Sequence, residues 1–338
     1  MLTLDRRDVR PLLIVVIAAG AMMAGRFAAL TPDSHEYLAL TAYFEGAVQT
    51  PIAAPFAYRV GIPWLVALLD FGPNTVEFAG ISAIMTLAGH GLVYLVARDM
   101  SGRRDAAFLG ALVCALSPVV FTYGARILTD GAAFCLTNLA VWLILRQRRL
   151  VFFGVVTASM LIREAVVVVL VSFALVQLAE TWRTRRLAPL SWLLGAVAPV
   201  AVAVAIRGAF DHISPHAWSP TWVLFVGNLT RPLTWSASFS AAVPFVIAAA
   251  VALFAGDRRP WRSLTDAHGI VIGAHLIAVS LLAMAALTSA FMSPRFFWPA
   301  YVVVAPLVGL GLQGTWLQRQ AARLCGETDA IAPASVTS

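Results

Sequence analysis

The chain has 338 residues, 60% of them hydrophobic and 12% charged, with a mean hydropathy of +0.83. Because soluble domains carry about 25% charged residues, this composition excludes a soluble protein and predicts an all-α, polytopic membrane protein. The net charge of +7 comes from 24 arginines without a lysine. By the topology predicted below, 17 of the 24 lie in loops on one side, which is the positive-inside pattern and argues against a nucleic-acid partner.

The first predicted span is the apolar run 11–30, which matches the length of about 20 residues that a membrane-crossing helix needs. Arg6, Arg7 and Arg10 precede it. This order resembles a signal peptide, but the run continues with little interruption and further spans follow. We therefore expect an uncleaved anchor with a cytoplasmic N-terminus.

The next segment, 31–73, is predicted to be external and begins with Asp33-Ser34-His35-Glu36-Tyr37. Asp33 and Glu36 are three residues apart, so a helix would project both carboxylates from one face. Apolar residues on another face favour an amphipathic helix at the membrane surface: Leu38, Leu40 and Phe44. As an alternative, Asp33 or Ser34 only caps the helix, and Glu36 supports its first turn. Residues 60–71 predict a short helix that dips into the bilayer.

Hydropathy and arginine runs predict about ten crossings in all, with both termini cytoplasmic. The remaining full spans are expected at 76–97, 106–123, 132–145, 187–206, 241–255, 268–291 and 300–317. Residues 1–325 would form one transmembrane domain with the catalytic loop at 31–73. Residues 326–338 are predicted to be a disordered cytoplasmic tail.

The segment 150–182 is too short for two ordinary spans. Only 33 residues separate two arginine clusters that should both be cytoplasmic, whereas two spans need about 40. We expect two short helices that meet near the external side, with an Arg163-Glu164 ion pair at the apex facing a protein-lined cavity.

The predicted external side carries arginines that are spread singly over its segments. They are Arg26, Arg59, Arg126, Arg163, Arg207, Arg231 and Arg295. Isolated charges near span ends need a partner or a water-filled cavity, and arginine suits bidentate contact with phosphate. The set therefore favours an anionic ligand that approaches from the outer leaflet.

Each of these charges also has a purely structural interpretation. Arg163-Glu164 could be an ion pair at a turn, and Arg126 with Asp130 a pair at helical spacing. Arg295 could extend to the interface within an aromatic belt. His35 is either a metal ligand or proton shuttle, or an exposed histidine without a function.

Three motifs of the external segment, D-S-x-E-Y (33–37), P-F-x-Y-R (55–59) and P-W-L (63–65), resemble the first external loop of GT-C-type integral membrane glycosyltransferases. Those enzymes, mannosyltransferases among them, take a sugar from a polyprenyl-phosphate carrier. The resemblance covers about forty residues closely, and it implies that Asp33 is the general base. Many relatives carry two adjacent acids or an extracytoplasmic C-terminal domain. Here the second acid is Glu36, which leaves acceptor class and metal dependence open.

The resulting hypothesis is a sugar transfer from a polyprenyl phosphate to an acceptor hydroxyl at the extracytoplasmic face of the inner (plasma) membrane. Asp33 and Glu36 are the catalytic candidates, with Glu36 orienting the acceptor or ligating a divalent cation. The candidates for substrate or phosphate binding are His35, Tyr58, Arg59, Arg126, Asp130, Arg163, Glu164 and Arg295. The hairpin 150–182 and the dipping helix would wall the lipid groove. No metal site or cofactor is predicted.

The expected partners are the polyprenyl-linked sugar donor, a lipid or glycan acceptor and membrane lipids. Two other functions stay open. A transporter or flippase of an anionic lipid would use the same charges as a translocation path, and a non-catalytic subunit would only bind the lipid-linked sugar. A transporter predicts ionisable groups through the whole membrane thickness, whereas these gather on one side.

Overall fold

The computed structural model describes residues 5–47, 51–186, 190–214, 221–255, 264–288 and 293–327, and these ranges contain helices, short 3₁₀ segments and no strand. The prediction of an all-α protein is confirmed. The helices are α1 Arg6–Ala24, α2 Pro32–Phe44, α3 Gly61–Leu69, α4 Asn74–Ser101, α5 Arg104–Ala115, α6 Pro118–Tyr123, α7 Asp130–Leu145, α8 Arg149–Ser159, α9 Val168–Thr184, α10 Leu190–Phe210, α11 Trp222–Thr230, α12 Pro232–Ala255, α13 Asp266–Ala286, α14 Tyr301–Gly311 and α15 Trp316–Cys325. Most of the predicted tail, residues 328–338, lies outside the described ranges.

Four helical stretches of the described chain are long and apolar enough to cross a membrane: Asn74–Ser101, Glu164–Thr184, Gly195–Ile213 and Asp266–Ala286. A fifth results if Pro294–Gly311 and Trp316–Cys325, bent by 110°, count as one span. Shorter apolar helices accompany them, α7 and α8 included. The chain is a multi-pass membrane protein, and the number of ten crossings stays a prediction.

Two details of the predicted topology can be compared with the helices. The predicted span 106–123 is two helices, α5 and α6, because Ser117 caps a new helix whose first residue is Pro118. Proline has no N–H to continue the preceding helix, but it suits a first helical position. The chain does turn back within 150–182, since α8 and α9 are joined by an apex that contains Arg163 and the 3₁₀ segment Glu164–Val167. Of the two short helices predicted, only α8 is short, with 11 residues, whereas Glu164–Thr184 has 21 residues and is long enough to cross a membrane.

Helices α5 and α14 cross at very close range through small residues. A Cβ atom on Gly110 would lie 1.9 Å from the Ala305 carbonyl oxygen, and one on Gly309 would lie 1.9 Å from the Ala106 oxygen. Each helix therefore presents an alanine and a glycine four residues apart to the other. Such small-residue pairs let helix backbones approach closely in membranes, where packing drives association.

Replacing Gly110 by Ala is expected to destabilise the protein by about 1–3 kcal/mol, because the added methyl group overlaps the α14 backbone and forces the helices apart. Thermal unfolding of the purified protein in detergent measures the effect. The matched control is Gly273→Ala, where a Cβ meets nothing within 4 Å. A Gly110→Ala protein as stable as this control would contradict the close crossing.

The end of the bundle that carries the arginine runs is held together by buried carboxylates. The fully buried Asp8 accepts hydrogen bonds from Tyr94 Oη at 3.0 Å and Arg104 Nε at 3.1 Å, and it pairs with Arg98. These contacts join α1, α4 and α5. We refer to this end as the Arg-rich end; the candidate site lies at the opposite end of α7 and α9.

Candidate functional site

Asp33 enters the site from the first turn of α2. Thr31 is the N-cap of this helix, and its Oγ1 accepts from the Ser34 N–H while Ser34 Oγ accepts from the Thr31 N–H, at 3.2 and 2.9 Å. This reciprocal pair satisfies the helix end, so the capping role considered for Ser34 is confirmed and Asp33 is left free. The Asp33 Oδ2 atom instead accepts from Arg295 Nη1 at 2.9 Å.

Arg295 also reaches the carboxylate at the start of α7. Its Nη1 lies 3.4 Å from Asp130 Oδ2, and the other Asp130 oxygen accepts from Arg163 Nη1 at 2.5 Å. The side chains of Asp130 and Arg163 are only 4% and 5% exposed. Two arginines from distant parts of the chain thus share one buried carboxylate, which satisfies the charge that burial would otherwise penalise.

A second ion pair lies beside the first. Arg59 donates from Nε and Nη2 to the two Glu164 oxygens, at 3.0 and 2.5 Å, in the bidentate arrangement that guanidinium favours. Its Nη1 donates to Tyr37 Oη at 2.9 Å, and that hydroxyl lies 3.1 Å from Thr129 Oγ1. Burial acts to lower the pKa of the Arg59 guanidinium, but Glu164 and Tyr37 outweigh it and hold the pKa above its usual range.

The backbone near the hairpin apex explains how Arg59 and Glu164 meet. The N–H of Gly61, the first residue of α3, donates to the carbonyl of Leu161 at 2.6 Å. This bond places the segment before α3 against the apex of the α8–α9 hairpin. The site therefore depends on contact between the external segment and the hairpin.

Six charged side chains form what we call the ionic cluster: Asp33, Arg59, Asp130, Arg163, Glu164 and Arg295. Three carboxylates balance three guanidinium groups. A small cavity of about 20 Å³ is lined by Asp130, Arg163 and Arg295 together with Phe134 and Trp298, which is room for about one water molecule. With all six side chains ionised, the ionic cluster is electrically neutral.

The pairing differs from the structural alternatives considered for these charges. Arg163 and Glu164 do not pair with each other, because the extended backbone of Arg163 (φ −165°, ψ 128°) points successive side chains to opposite sides. Arg126 and Asp130 do not pair, since α7 begins only at Asp130 and residues 126–129 are not helical. Arg295 does not extend to the interface; its side chain is 14% exposed and bound to two carboxylates.

Three of the predicted site residues make their contacts elsewhere. Glu36 accepts from the Ala53 N–H at 2.9 Å and so holds the loop after α2, and Tyr58 Oη donates to Asp211 Oδ1 at 3.1 Å. His35 is exposed on α2. The catalytic role of Glu36 stays a prediction, and the geometry gives it a structural one.

Arg126 lies near the cluster without a carboxylate partner among the described residues. Its Nε is buried and makes no hydrogen bond to them. Burial and the nearby Arg26 lower the pKa of its guanidinium. Tyr123 lies next to both arginines of this region, since it interacts electrostatically with Arg126 and its ring centre is 5.9 Å from Arg295 Cζ. Within the described part of the chain, Arg126 thus has no carboxylate partner, and Tyr123 lies near both it and Arg295 of the ionic cluster.

Sequence reasoning missed the polar residues that support Arg59. Tyr37 is fully buried, and Thr129 is buried behind it. Tyr37 follows Asp33 by four residues, and positions four apart lie on one face of a helix. This spacing was the available signal. For Thr129, which lies in a bend just before α7, no comparable pattern exists.

An apolar cavity of about 350 Å³ opens beside the segment that carries Arg295. It lies between α12 and the start of α14, and its lining includes Trp235, Phe239, Phe245, Phe297 and Tyr301. The sequence places a lipid groove at the hairpin and the dipping helix instead. Phe297 is two residues from Arg295, so this cavity brings apolar surface close to the ionic cluster.

The described residues contain no group of three or more His, Cys, Asp or Glu side chains arranged to hold a metal ion. His212 and His216 are four residues apart, a spacing that could bind zinc on a helix, but Pro215 intervenes and His216 lies outside the described ranges. The acids of the ionic cluster are each engaged by arginine.

No family of known proteins matches the sequence, and no curated protein matches it. Among solved structures, the chain is similar to ArnT from Cupriavidus metallidurans, crystallised with bound undecaprenyl phosphate. The TM-score is 0.52 at 14% sequence identity, over 90% of this chain and 59% of that one. The chain therefore spans about three fifths of the length of ArnT. At this identity the similarity shows a shared membrane-protein fold.

Proposed function

We propose that this protein is a GT-C-type glycosyltransferase that moves a sugar from a polyprenyl-phosphate carrier to an acceptor hydroxyl at the extracytoplasmic face of the membrane. The observation that carries the proposal is the contact between Asp33 and Arg295 next to an apolar cavity. It brings a carboxylate and a cation into contact, and the apolar cavity is lined by Phe297, two residues along the chain from Arg295. The shared fold with a protein that binds undecaprenyl phosphate supports this choice of donor.

The reaction requires a base for the proton of the acceptor hydroxyl and a cation for the charge of the departing phosphate. The acceptor oxygen attacks the anomeric carbon of the donor sugar, and the bond from that carbon to the phosphate oxygen breaks. Asp33 takes the acceptor proton, and the electron pair of the broken bond leaves with the polyprenyl phosphate. Asp33 suits the role because its side chain is 26% exposed and only Oδ2 is bound to described residues.

Arginine would stabilise the charge that grows on the departing phosphate. Arg295 is the first candidate, since the apolar cavity beside it would take the first isoprene units. Because the charges of the ionic cluster are balanced before the donor binds, the donor phosphate competes with Asp33 for the guanidinium of Arg295. Donor binding would in this way free the carboxylate that acts as the base. Arg59 and Arg163 would keep this arrangement in place through their ion pairs with Glu164 and Asp130.

Arg126 provides a positive charge that no carboxylate of the described ranges neutralises, so we expect it to contact the donor phosphate. Replacing Arg126 by Ala should raise the KM for the donor about tenfold with a small change in kcat, the equivalent of one charge-assisted hydrogen bond. Steady-state kinetics measures both constants. The control is Arg207→Ala, which removes an arginine stacked on Tyr58, 5.7 Å from its ring centre. Equal KM values for the two variants would argue against Arg126 as a phosphate contact.

The direct test of the function is release of free polyprenyl phosphate by the purified protein in nanodiscs. A panel of polyprenyl-phosphate sugars is supplied together with crude membrane lipid or glycan as acceptor. Release with one donor establishes a transferase or hydrolase and identifies the sugar, and release that depends on the acceptor establishes the transfer. If the protein is folded but neither binds nor consumes any donor, the proposal fails. Movement of lipid between leaflets without loss of its sugar would identify a flippase instead.

A further inference from the structure

A second large cavity lies at the Arg-rich end, at the far ends of the helices that carry the ionic cluster. Its volume is about 680 Å³, and it is bounded by the last turn of α7, the start of α8, the end of α9, Trp192 of α10 and the first turns of α13. Helix α7 has 16 residues, so the cavity lies about 24 Å from Asp130 at 1.5 Å per residue. It is a separate site from the one proposed for sugar transfer.

The mouth of this cavity is basic. Arg149, Arg183 and Arg186 line it, against one carboxylate, Glu180, among the described lining residues. The guanidinium of Arg149 stacks on the Trp192 ring, with Cζ 3.8 Å from the ring centre, and this contact fixes its position through cation–π attraction. Arg183 has only a loose exposed contact with Asp266, at 3.7 Å. The mouth is therefore suited to an anionic group.

The interior of the cavity offers two further features. Gln177 and His268 line it, and their Oε1 and Nδ1 atoms are buried without a hydrogen-bond partner among the described residues, which is a costly state for polar atoms. The deepest wall is apolar, formed by Phe152 and Phe173, whose rings stack with centres 5.0 Å apart. Polar atoms that need a hydrogen-bond partner thus lie between the basic mouth and the apolar wall of Phe152 and Phe173, which forms the floor of the cavity.

From this arrangement we infer that the cavity is a binding site for an anionic phospholipid of the membrane leaflet at the Arg-rich end. The lipid phosphate contacts Arg149, Arg183 and Arg186, and headgroup or glycerol oxygens satisfy His268 and, through their hydroxyl hydrogens, Gln177. The upper part of an acyl chain covers Phe152 and Phe173. A free phosphate or a soluble phosphorylated molecule would match the arginines but would leave the apolar floor uncovered. An uncharged lipid would match the floor but leave the arginines without a partner.

The test is lipid titration of the purified full-length protein, followed by native mass spectrometry. Phosphatidylglycerol, phosphatidylcholine and inorganic phosphate are the three probes. We expect phosphatidylglycerol to bind at least about tenfold more tightly than phosphatidylcholine, and phosphate alone not to bind measurably. Arg149→Ala and Arg183→Ala should each weaken phosphatidylglycerol binding about tenfold, the usual cost of one charge-assisted contact.

The matched control is Arg148→Ala, which removes the neighbouring arginine of Arg149 that is exposed and does not line the cavity. It should leave the lipid preference unchanged. Arg183 is 59% exposed, so its replacement tests the site even if Arg149→Ala impairs folding. Equal binding of the two lipids, or an equal effect of Arg148→Ala and Arg183→Ala, would overturn the inference. Tight binding of inorganic phosphate would overturn it in favour of a site for a soluble anion.

Discussion

Replacing Asp33 by Asn is expected to lower kcat for sugar transfer by about 10²- to 10⁴-fold, the usual contribution of a general base. Asparagine has nearly the same shape as aspartate, and its amide oxygen can still accept the hydrogen bond from Arg295, which is 2.9 Å long in the native protein. It cannot take the acceptor proton. Release of polyprenyl phosphate gives kcat, and a binding assay with the unreacted donor shows that binding persists.

Asp70→Asn is the control for this substitution. Asp70 is an exposed carboxylate of the same external segment, at the C-cap of α3 with φ 44°, and asparagine is well tolerated at such left-handed positions. This variant should keep wild-type activity. If Asp33→Asn retains more than about a tenth of the wild-type kcat, Asp33 is not the base. If it loses donor binding and turnover together, the residue positions Arg295 and does not carry the proton.

Replacing Arg163 by Met is expected to destabilise the protein by about 3–5 kcal/mol, the range measured when one partner of a buried ion pair is removed. The Asp130 side chain is 4% exposed in the native protein. Without Arg163, its remaining cationic partner among the described residues would be Arg295, at 3.4 Å. Methionine fills most of the space of the aliphatic part of the arginine side chain. The loss of stability therefore measures the effect of leaving the Asp130 carboxylate without Arg163. Unfolding of the detergent-solubilised protein by heat or denaturant measures it.

A double-mutant cycle separates the ion pair from a packing effect. Arg163→Met with Asp130→Asn removes both charges, and we expect the double variant to be less destabilised than the sum of the single variants, because residues in direct contact couple. Exposed Arg148→Met is the control and should change stability little. Additive losses would mean that the pair contributes only through the shape of its side chains.

Much of the arrangement follows from the sequence, because hydropathy and single charges are local properties. The length of 150–182 predicts the hairpin, and three of the predicted arginines do meet, namely Arg59, Arg163 and Arg295. Their isolation beside apolar spans was the signal, since a charge in such a place needs a partner. A helix at Asp33 is likewise predicted, although its N-cap is Thr31 and not Asp33 or Ser34.

The choice of partner could not be predicted, because it depends on backbone direction and on contacts between distant segments. Glu164 is adjacent to Arg163, yet it binds Arg59, which is 105 residues away. The extended backbone at Arg163 decides this, and a single sequence gives no measure of it. The contact of Arg295 with Asp33 spans 262 positions. The crowding of small residues where α5 meets α14 is equally a property of the packed helices.

The close crossing of α5 and α14 also determines where Arg295 lies in the candidate site. Gly309 is locked against α5, and the chain runs back from it along α14 to the 3₁₀ segment Pro294–Ala300, which holds Arg295. A slip of α14 by one helical turn would shift Arg295 by about 5.4 Å, well beyond hydrogen-bond reach of Asp33. The contact of Gly110 on α5 with α14, and of Gly309 on α14 with α5, therefore fixes the position of the segment before α14 that carries Arg295. We therefore expect damage to the α5–α14 contact to appear first as a loss of enzymatic turnover.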